Sequence, residues 1–379
     1  MKNKGIYLDS AASSQMHPEV IDTMTAVMKS SYANSSSVHS AGQSAAAAAE
    51  HARDICARSI GAKPNEIIFT CGGTESINIA LLGCARAGRL KGRHLITTNI
   101  EHSAVLNSFR RLEAEGFEAT YISASPDGIV SEEDIRKAVR DDTILISVMH
   151  VNNEIGTIQP AEAAGRIAKE RNIIFHTDAV QSFGKMRFDA AQLNADLISV
   201  SAHKLHGPKG AGFLYAASDA GLEAIMFGGN QERGLRPGTL DTPAAAGFGK
   251  SIEIALRDME ETEKKVRRLR DLMISRIENE IQGAHLNGSR EHRISENINF
   301  SFEGITSDRL LYSLDSRGVY ISSGSACEAG SIETSHVIRA IGSESLGASA
   351  RFTLSRFTAE DEIHEAVDIL KRVLDEQRK

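Results

Sequence analysis

The chain has 379 residues, 41% of them apolar, which is enough to bury a sizeable core. Its 43 lysines and arginines against 50 aspartates and glutamates give a formal net charge of −7. This mildly acidic balance argues against direct nucleic-acid binding as the main role. No apolar run approaches membrane-spanning length, and no signal-peptide core follows Lys2 and Lys4. We therefore expect a soluble, cytoplasmic protein without a membrane segment.

Short β-branched runs alternate with helical patterns along the first part of the chain. The predicted strands are 66–70, 94–98, 119–122, 143–149, 173–176, 196–201 and 212–215. The helical patterns between them include 103–115, 131–139 and 161–171. This alternation predicts βαβ units, and therefore an α/β fold with a mostly parallel sheet flanked by helices.

One long helical pattern, from about 242 to 282, is predicted to connect this region to a smaller α/β unit. The smaller unit has predicted strands at 298–302, 319–322 and 351–354, and predicted helices at 307–316, 333–341 and from Thr358 onward. Ser131 with Asp134, and Thr358 with Asp361, fit helix-start boxes. We predict a large domain at 16–262 and a small domain made of 1–15 with 263–379.

Lys204 lies between a predicted strand and a glycine-rich turn, in the segment DLISVSAHKLHGPKGAG. A lysine held at a strand end can form a Schiff base with an aldehyde cofactor if its amine is neutral. Desolvation and a neighbouring cation both lower the pKa of a lysine. The alternative is a solvated surface charge.

Asp178, in HTDAVQ, follows another predicted strand. Ligands of open α/β sheets bind at the carboxyl ends of the strands, and a carboxylate there could pair with a protonated pyridine nitrogen. Gln181, three residues later, could reach a ring hydroxyl. A helix N-cap is the alternative role for Asp178.

Three further candidates follow strands. In FTCGGTES, Gly73 and Thr74 open a helix whose free N–H groups could bind a phosphate. His102 starts the next helix and could stack on a cofactor and move protons, or simply cap the helix or pack in the core. Asn153 follows the strand at 143–149. These candidates, with Lys204 and Asp178, are expected to share one edge of the sheet.

The cysteines show neither CxxC pairs nor the His/Cys spacing of a metal site, so we predict no disulfide and no metal centre. Cys56 and Cys84 lie in helical patterns and are expected to be small buried side chains. Cys327 lies among small polar residues in ISSGSACEAGSIETSH, which favours an exposed loop and makes its thiol a candidate nucleophile. Arg351 opens the last predicted strand and could clamp a substrate carboxylate, or be a surface arginine.

Eight segments follow one another between Tyr7 and Phe357: GGTES, EHSAVLN, HVNNEIG, HTDAVQ, SAHKLHGPKG, RGLRPGT, SSGSAC and ARFTLSRF. In this order they resemble the motifs of the cysteine desulfurases of the NifS/IscS type. That group lies within the class-V aminotransferases, which are fold-type-I enzymes that use pyridoxal 5′-phosphate (PLP). The joint match in order and spacing makes the resemblance specific.

The resemblance implies a role for each candidate around PLP. Lys204 carries the cofactor as a Schiff base and shuttles protons. Asp178 pairs with the pyridine nitrogen, Gln181 contacts the phenolic oxygen, and His102 stacks on the ring and acts as an acid and base. The implied contacts to the cofactor phosphate come from Gly73, Thr74, Ser201, His203 and the Thr239 of the second subunit of a homodimer, while Asn153 also contacts the cofactor.

For the substrate, L-cysteine, the resemblance implies that Asn34 and Arg351 hold the carboxylate. Cys327 then attacks the sulfur of the bound substrate, which leaves L-alanine and a persulfide on the enzyme. The persulfide passes to an acceptor protein or thiol of unknown identity. The family's roles in iron–sulfur cluster biogenesis and tRNA thiolation are therefore expectations for this chain.

The sequence departs from the family in four places. Gln15 stands where a proline usually follows two threonines, and Ser35 stands where a proline usually follows Gly-Asn. Without these prolines we expect a less rigid substrate mouth. Glu328 follows the candidate nucleophile, where small hydroxyl residues are common. The chain also ends soon after its last predicted helix, so we expect it to lack the tail with which housekeeping members dock an iron–sulfur scaffold.

Three other functions compete with this interpretation. The chain could be another PLP enzyme, such as a selenocysteine lyase or an aminotransferase, although Cys327 argues against both. It could bind a nucleotide or phosphate through GGTES, with Lys204 incidental. It could also be a sulfur-relay adaptor that uses only its thiol, although the full set of cofactor candidates argues against this.

Overall fold

The computed structural model describes residues 5–323 and 334–378, so Cys327 and Glu328 lie outside the described residues. Within those ranges the chain forms a seven-stranded sheet, a three-stranded sheet and a two-stranded sheet. Helices cover both faces of the largest sheet, and an α/β architecture results. This confirms the predicted fold class.

The seven-stranded sheet has the order β2-β8-β7-β6-β5-β3-β4. Its strands are β2 (Ile67–Thr70), β3 (His94–Thr98), β4 (Glu118–Ile122), β5 (Thr143–Ser147), β6 (Ile174–Asp178), β7 (Leu197–Ser201) and β8 (Gly212–Ala216). Neighbouring strands from β7 to β4 run parallel, whereas β8 is antiparallel to both of its neighbours. The carboxyl ends of five parallel strands therefore meet at one edge.

Alternate residues of the strands pack on opposite faces, as the period of two requires. In β2, Ile67 and Phe69 join an apolar core with α2 (Ser40–Ser59), α6 (Ala161–Glu170) and α7 (Thr242–Arg257). Ile68, between them, joins a second core with α3 (Gly73–Gly88) and α4 (Ser103–Ala114). The remaining helices are α1 (Pro18–Ser30), α5 (Glu132–Ala138), α8 (Met259–Glu280), α9 (Ser307–Asp315), α10 (His336–Ala340) and α11 (Glu360–Gln377). None of the helices described is both long enough and apolar enough to cross a bilayer.

A third apolar core lies between the smaller sheets and α8, α9 and α11. The antiparallel sheet β9-β10-β12 consists of Ala284–Leu286, Asn297–Phe302 and Ala348–Thr353. The first strand, β1 (Ile6–Tyr7), pairs in parallel with β11 (Val319–Tyr320) and adds Ile6 and Leu8 to this core. A core built from both chain ends supports the proposed division into 16–262 and 1–15 with 263–379.

The predicted single helix from 242 to 282 is wrong, because two helices meet at Asp258. The N–H of Asp258 still bonds the carbonyl of Ile254, but its backbone leaves the helical region at φ −104° and ψ 9°. The carboxylate of Asp258 accepts hydrogen bonds from Arg257 and Arg356. These contacts hold the break in place, and they depend on residues that local helix propensity does not weigh.

The helix-start box at Ser131 is confirmed, whereas the one at Thr358 is wrong. Ser131 accepts hydrogen bonds from the N–H groups of Glu133 and Asp134. The hydroxyl of Thr358 instead accepts from the N–H of Ser355, which closes a turn. The last helix therefore begins two residues later than predicted, at Glu360.

Candidate active site

The carboxyl ends of the parallel strands open into a cavity of about 190 Å³. Ten of the residues singled out in the sequence line it: Gly73, Thr74, His102, Asn153, Asp178, Gln181, Ser201, His203, Lys204 and Arg351. Arg351 comes from the three-stranded sheet, and most of the others follow strands of the seven-stranded sheet, so the cavity lies between these two sheets. The fold therefore brings the ten residues together around one cavity.

Lys204 lies in a short 3₁₀ turn, Ala202–Lys204, that follows β7 directly. Its Nζ donates hydrogen bonds to the carbonyl oxygens of Ala11 and Ala12, at 2.6 and 2.8 Å. A side chain with these partners in a cavity wall is not a solvated surface charge. The N-terminal segment thus holds the amine at the cavity.

Asp178 is the last residue of β6 and is only 5% exposed. One of its oxygens accepts a hydrogen bond from the N–H of Val180 at 2.9 Å, and no helix follows, so Asp178 is not a helix cap. Burial raises the pKa of Asp178, whereas His102, the Val180 N–H and Lys204 lower it. A buried carboxylate in these surroundings is suited to pair with a protonated ring nitrogen.

His102 lines the cavity and also caps α4, so both roles considered for it coexist. Its Nδ1 accepts a hydrogen bond from the N–H of Ala104 at 3.1 Å. A ring nitrogen that accepts a hydrogen bond carries no proton. The cap therefore fixes the orientation of the ring and leaves proton exchange to Nε2.

The turn between β2 and α3 forms a close-fitting cradle at the helix start. Gly72 has φ +145°, which side-chain-bearing residues rarely adopt. A Cβ on Gly73 would lie 2.7 Å from the side chain of Val180, so only glycine fits there. The N–H groups at the start of this 16-residue helix provide an anion site beside Thr74 and Ser201.

His203 adjoins the same end of the cavity and is neutral at physiological pH. Burial, together with the charges of Lys204, Lys209 and Lys185, lowers its pKa to about 4. Because His203 adds no charge, Lys204 and the N-terminal end of α3 supply the attraction for an anionic group.

Asn153 gives the clearest sign that the cavity holds a polar group. Its Oδ1 is buried and has no hydrogen-bond partner among the described residues, and the side chain lines the cavity. Buried polar atoms are almost always hydrogen-bonded in native proteins. Together with the anion cradle, Asp178 and Lys204, this atom fits a ring cofactor that carries a phosphate and an aldehyde.

Arg351 is 2% exposed, so it is not a surface residue. It lies within β12, which begins at Ala348 and not at Arg351 as predicted. Its guanidinium donates hydrogen bonds to the carboxylate of Asp9 at 3.0 Å and to the carbonyl of Asn153 at 2.8 Å. Sequence reasoning missed Asp9, which follows Tyr7 and Leu8 near the start of the sequence.

Asn34 and Thr239 do not line the cavity formed by this chain. The side chain of Asn34 accepts a hydrogen bond from the N–H of Ser36, and Thr239 is exposed. Cys56 and Cys84 are 0% and 3% exposed, which confirms the predicted burial, and burial raises the pKa of both thiols. Cys327 lies outside the described residues.

Both flanks of the undescribed stretch 324–333 are tied to the cavity wall. On one side Ser322 and Arg351 exchange backbone hydrogen bonds. On the other, the hydroxyl of Ser335 donates to the buried carboxylate of Glu154 at 2.5 Å, and His336 Nε2 donates to the carbonyl of Glu101 at 2.9 Å. Glu154 and His336 also line the cavity. Sequence reasoning missed both, and HVNNEIG was the only signal for Glu154.

A model of the class-V aminotransferase family matches residues 6–365. Curated relatives include a cysteine desulfurase IscS of Dictyoglomus turgidum, 44% identical over 98% of this chain and 95% of its own length. Another, from Methanosarcina thermophila, is 42% identical over 100% of this chain and 94% of its own. Among solved structures, a NifS-like protein superimposes with a TM-score of 0.92, at 35% identity over 98% of this chain and 99% of its own. A structure described as SspA in complex with cysteine gives 0.82, at 37% identity over 93% and 99%.

The fold and the cavity define a PLP-dependent enzyme of fold type I. The chain belongs to the class-V aminotransferase family, and within it to the cysteine desulfurases of the NifS/IscS type. Its activity is the PLP-dependent desulfuration of L-cysteine.

Proposed function

We propose that the cavity holds PLP, with Lys204 as its covalent partner and Asp178 as the partner of the pyridine nitrogen. Bound PLP supplies an electron sink that weakens bonds in the attached amino acid. The observation that carries this assignment is the joint placement of Lys204, Asp178 and the Gly73 helix end around one cavity. The phosphate would be held by Gly73, Thr74, Ser201 and His203, and the ring substituents by Asn153 and Gln181. His102 would move protons through Nε2.

The assignment is tested by the visible absorbance of the purified protein before and after L-cysteine is added, with alanine and sulfide measured in parallel. A bound PLP absorbs visibly, responds to cysteine and is removed by hydroxylamine. Assays with selenocysteine and with keto-acid acceptors distinguish the desulfurase from a selenocysteine lyase and from an aminotransferase. A colourless protein that takes up no PLP would contradict the assignment.

We further propose that Cys327 is the sulfur acceptor. Cys327 is four residues beyond Ser323, so covalent geometry limits their Cα separation to about 14 Å. The neighbouring Ser322 is paired with Arg351 at the cavity. The Cys327 thiolate takes the sulfur of cysteine as the carbon–sulfur bond breaks and a sulfur–sulfur bond forms. With a proton returned to carbon, one cysteine and one thiol give alanine and a persulfide, which balances without any oxidant.

The persulfide then passes to an acceptor protein or thiol. We propose a cytoplasmic role in supplying sulfur for iron–sulfur clusters or for tRNA thiolation, in line with the IscS relatives. Incubation of the persulfide form with purified candidate acceptors, followed by mass measurement of both proteins, would identify the acceptor.

Arg351, which lines the cavity, is proposed to bind the substrate carboxylate. Arg351→Lys is expected to raise KM for cysteine by about 10- to 100-fold, with a smaller change in kcat, because a lysine cannot form two parallel hydrogen bonds. Steady-state kinetics measure this. Arg317→Lys, at an ion pair with Glu376 on the surface, is the control and should leave KM unchanged. An unchanged KM in Arg351→Lys would assign the carboxylate to other groups.

A homodimer is proposed in which Thr239 reaches the phosphate of the second subunit. Thr239 is exposed and lies outside its own cavity, and the nearby Phe227 is 89% exposed. We expect light scattering to give twice the chain mass, and Thr239→Val to weaken PLP binding. Thr306→Val, at a helix start outside the cavity, is the control. A monomer that remains fully active on dilution would disprove the shared site.

A further inference from the structure

We propose that Lys185 is a positioning residue that fixes the side-chain amide of Gln181, so that Gln181 presents an N–H donor to the cavity. The inference rests on the proposed contact between Gln181 and the phenolic oxygen of PLP. Lys185 does not line the main cavity, and nothing in the sequence assigned it a role.

The geometry determines which way the amide faces. Gln181 is 7% exposed, and its Oε1 accepts a hydrogen bond from Lys185 Nζ at 3.3 Å. Its Nε2 donates to the carbonyl of Ala11 at 3.2 Å. A protonated lysine only donates and a carbonyl oxygen only accepts, so both contacts require the same orientation. With Oε1 facing Lys185, the second N–H on Nε2 is the donor that the amide can offer the cavity.

Lys185 is itself held from two sides. It lines a smaller cavity on the far side of Lys204, together with Glu296 of the segment that leads into β10. Burial lowers the pKa of Lys185, the carboxylate of Glu296 raises it, and Arg351 lowers it. Glu296 Oε2 is buried without a hydrogen-bond partner among the described residues, and the charge of Lys185 lowers the pKa of this carboxylate against the effect of burial. Lys185 thus connects the smaller sheet to the orientation of Gln181.

The orientation matters because the two ends of an amide act oppositely on a phenolic oxygen. A donated N–H withdraws negative charge from this oxygen and so weakens its hold on the proton of the adjacent nitrogen that joins Lys204 to PLP. The pKa of that nitrogen is thereby lowered. An inverted amide would direct its carbonyl oxygen at the phenolic oxygen and give no such effect.

The test is the pH midpoint of the visible absorbance change of the resting holoenzyme, which requires no turnover. Lys185→Met should raise this midpoint by about half a unit to one unit, the size of one hydrogen bond. Lys185→Arg keeps the donor and should restore the midpoint to near the wild-type value. Lys185→Gln, which keeps a polar end group without the charge, is the second variant if Lys185→Met does not fold.

A double-mutant cycle separates positioning from simple charge. Gln181→Leu should raise the midpoint by itself, and adding Lys185→Met should then have no further effect. If the two shifts add, Lys185 acts through its own charge and the inference is overturned. If Gln181→Leu alone leaves the midpoint unchanged, the proposed contact of Gln181 fails first, while PLP binding by Lys204 stands. If Gln181→Leu shifts the midpoint and Lys185→Met does not, only the role of Lys185 fails.

Discussion

Lys204→Ala is expected to abolish the covalent attachment of PLP and to lower turnover by about a thousandfold or more. The residue is proposed to serve both as covalent partner and as proton carrier, and each function alone accounts for large rate factors. The absorbance of the purified variant, compared with its PLP content after denaturation, separates lost attachment from lost binding. Alanine production from cysteine measures the turnover.

Lys209→Ala is the matched control, because Lys209 is an exposed lysine of the same loop. It should retain the wild-type spectrum and rate. Turnover by Lys204→Ala at the wild-type rate would mean that another group carries the cofactor.

Cys327→Ser is expected to separate substrate binding from sulfur removal. The cavity that binds cysteine is intact in this variant, so cysteine should still change the visible spectrum. Sulfur release should fall by about a hundredfold or more, because the hydroxyl of serine is a far weaker nucleophile than a thiolate. Sulfide and alanine assays measure the loss, and the mass of the cysteine-treated wild-type protein should show one added sulfur on the peptide with Cys327.

Cys71→Ser is the matched control, since Cys71 is the exposed cysteine among those described. Burial and the neighbouring Glu75 raise the pKa of its thiol, so it is poorly suited to act as a nucleophile. Desulfuration retained in Cys327→Ser and lost in Cys71→Ser would mean that the nucleophile had been misassigned.

Sequence patterns predicted the large sheet and the common edge of its candidates because those signals are local. Lys204 and Asp178 each stand at the end of a β-branched run, and parallel strands bring such ends together. The break at Asp258 was missed because it depends on Arg356, a side chain from a distant part of the sequence. The later start of the last helix was missed because the hydroxyl of Thr358 closes a local turn with Ser355 instead of capping the helix. Lys185 and Gln181 are only four residues apart in the sequence. The orientation of the Gln181 amide could still not be predicted, because it also depends on the carbonyl of Ala11.

The stretch around Gln15 is held by hydrogen bonds, although it lacks the proline that would make it rigid. The hydroxyl of Ser14 donates to the carbonyl of His203 at 2.7 Å and accepts from the N–H of His206 at 2.8 Å. His206 Nδ1 donates to the carbonyl of Gln15 at 2.7 Å. Hydrogen bonds to the residues around Lys204 therefore hold this stretch without a proline. Local sequence patterns could not predict these bonds, because the partners are about 190 residues apart.

The attachment of the N-terminal segment also sets the order in which the enzyme can mature on the ribosome. Ile6 pairs with Val319, and Asp9 binds Arg351, so this segment waits for partners that are synthesised much later. The large sheet, complete at Ala216, can form much earlier, since segments fold in the order in which they emerge. Until β12 has been synthesised, Asp9 lacks its partner Arg351 and the cavity lacks this arginine. The proposed substrate contact is therefore completed only at this late stage, and chains stopped before Ala348 should be unable to bind substrate.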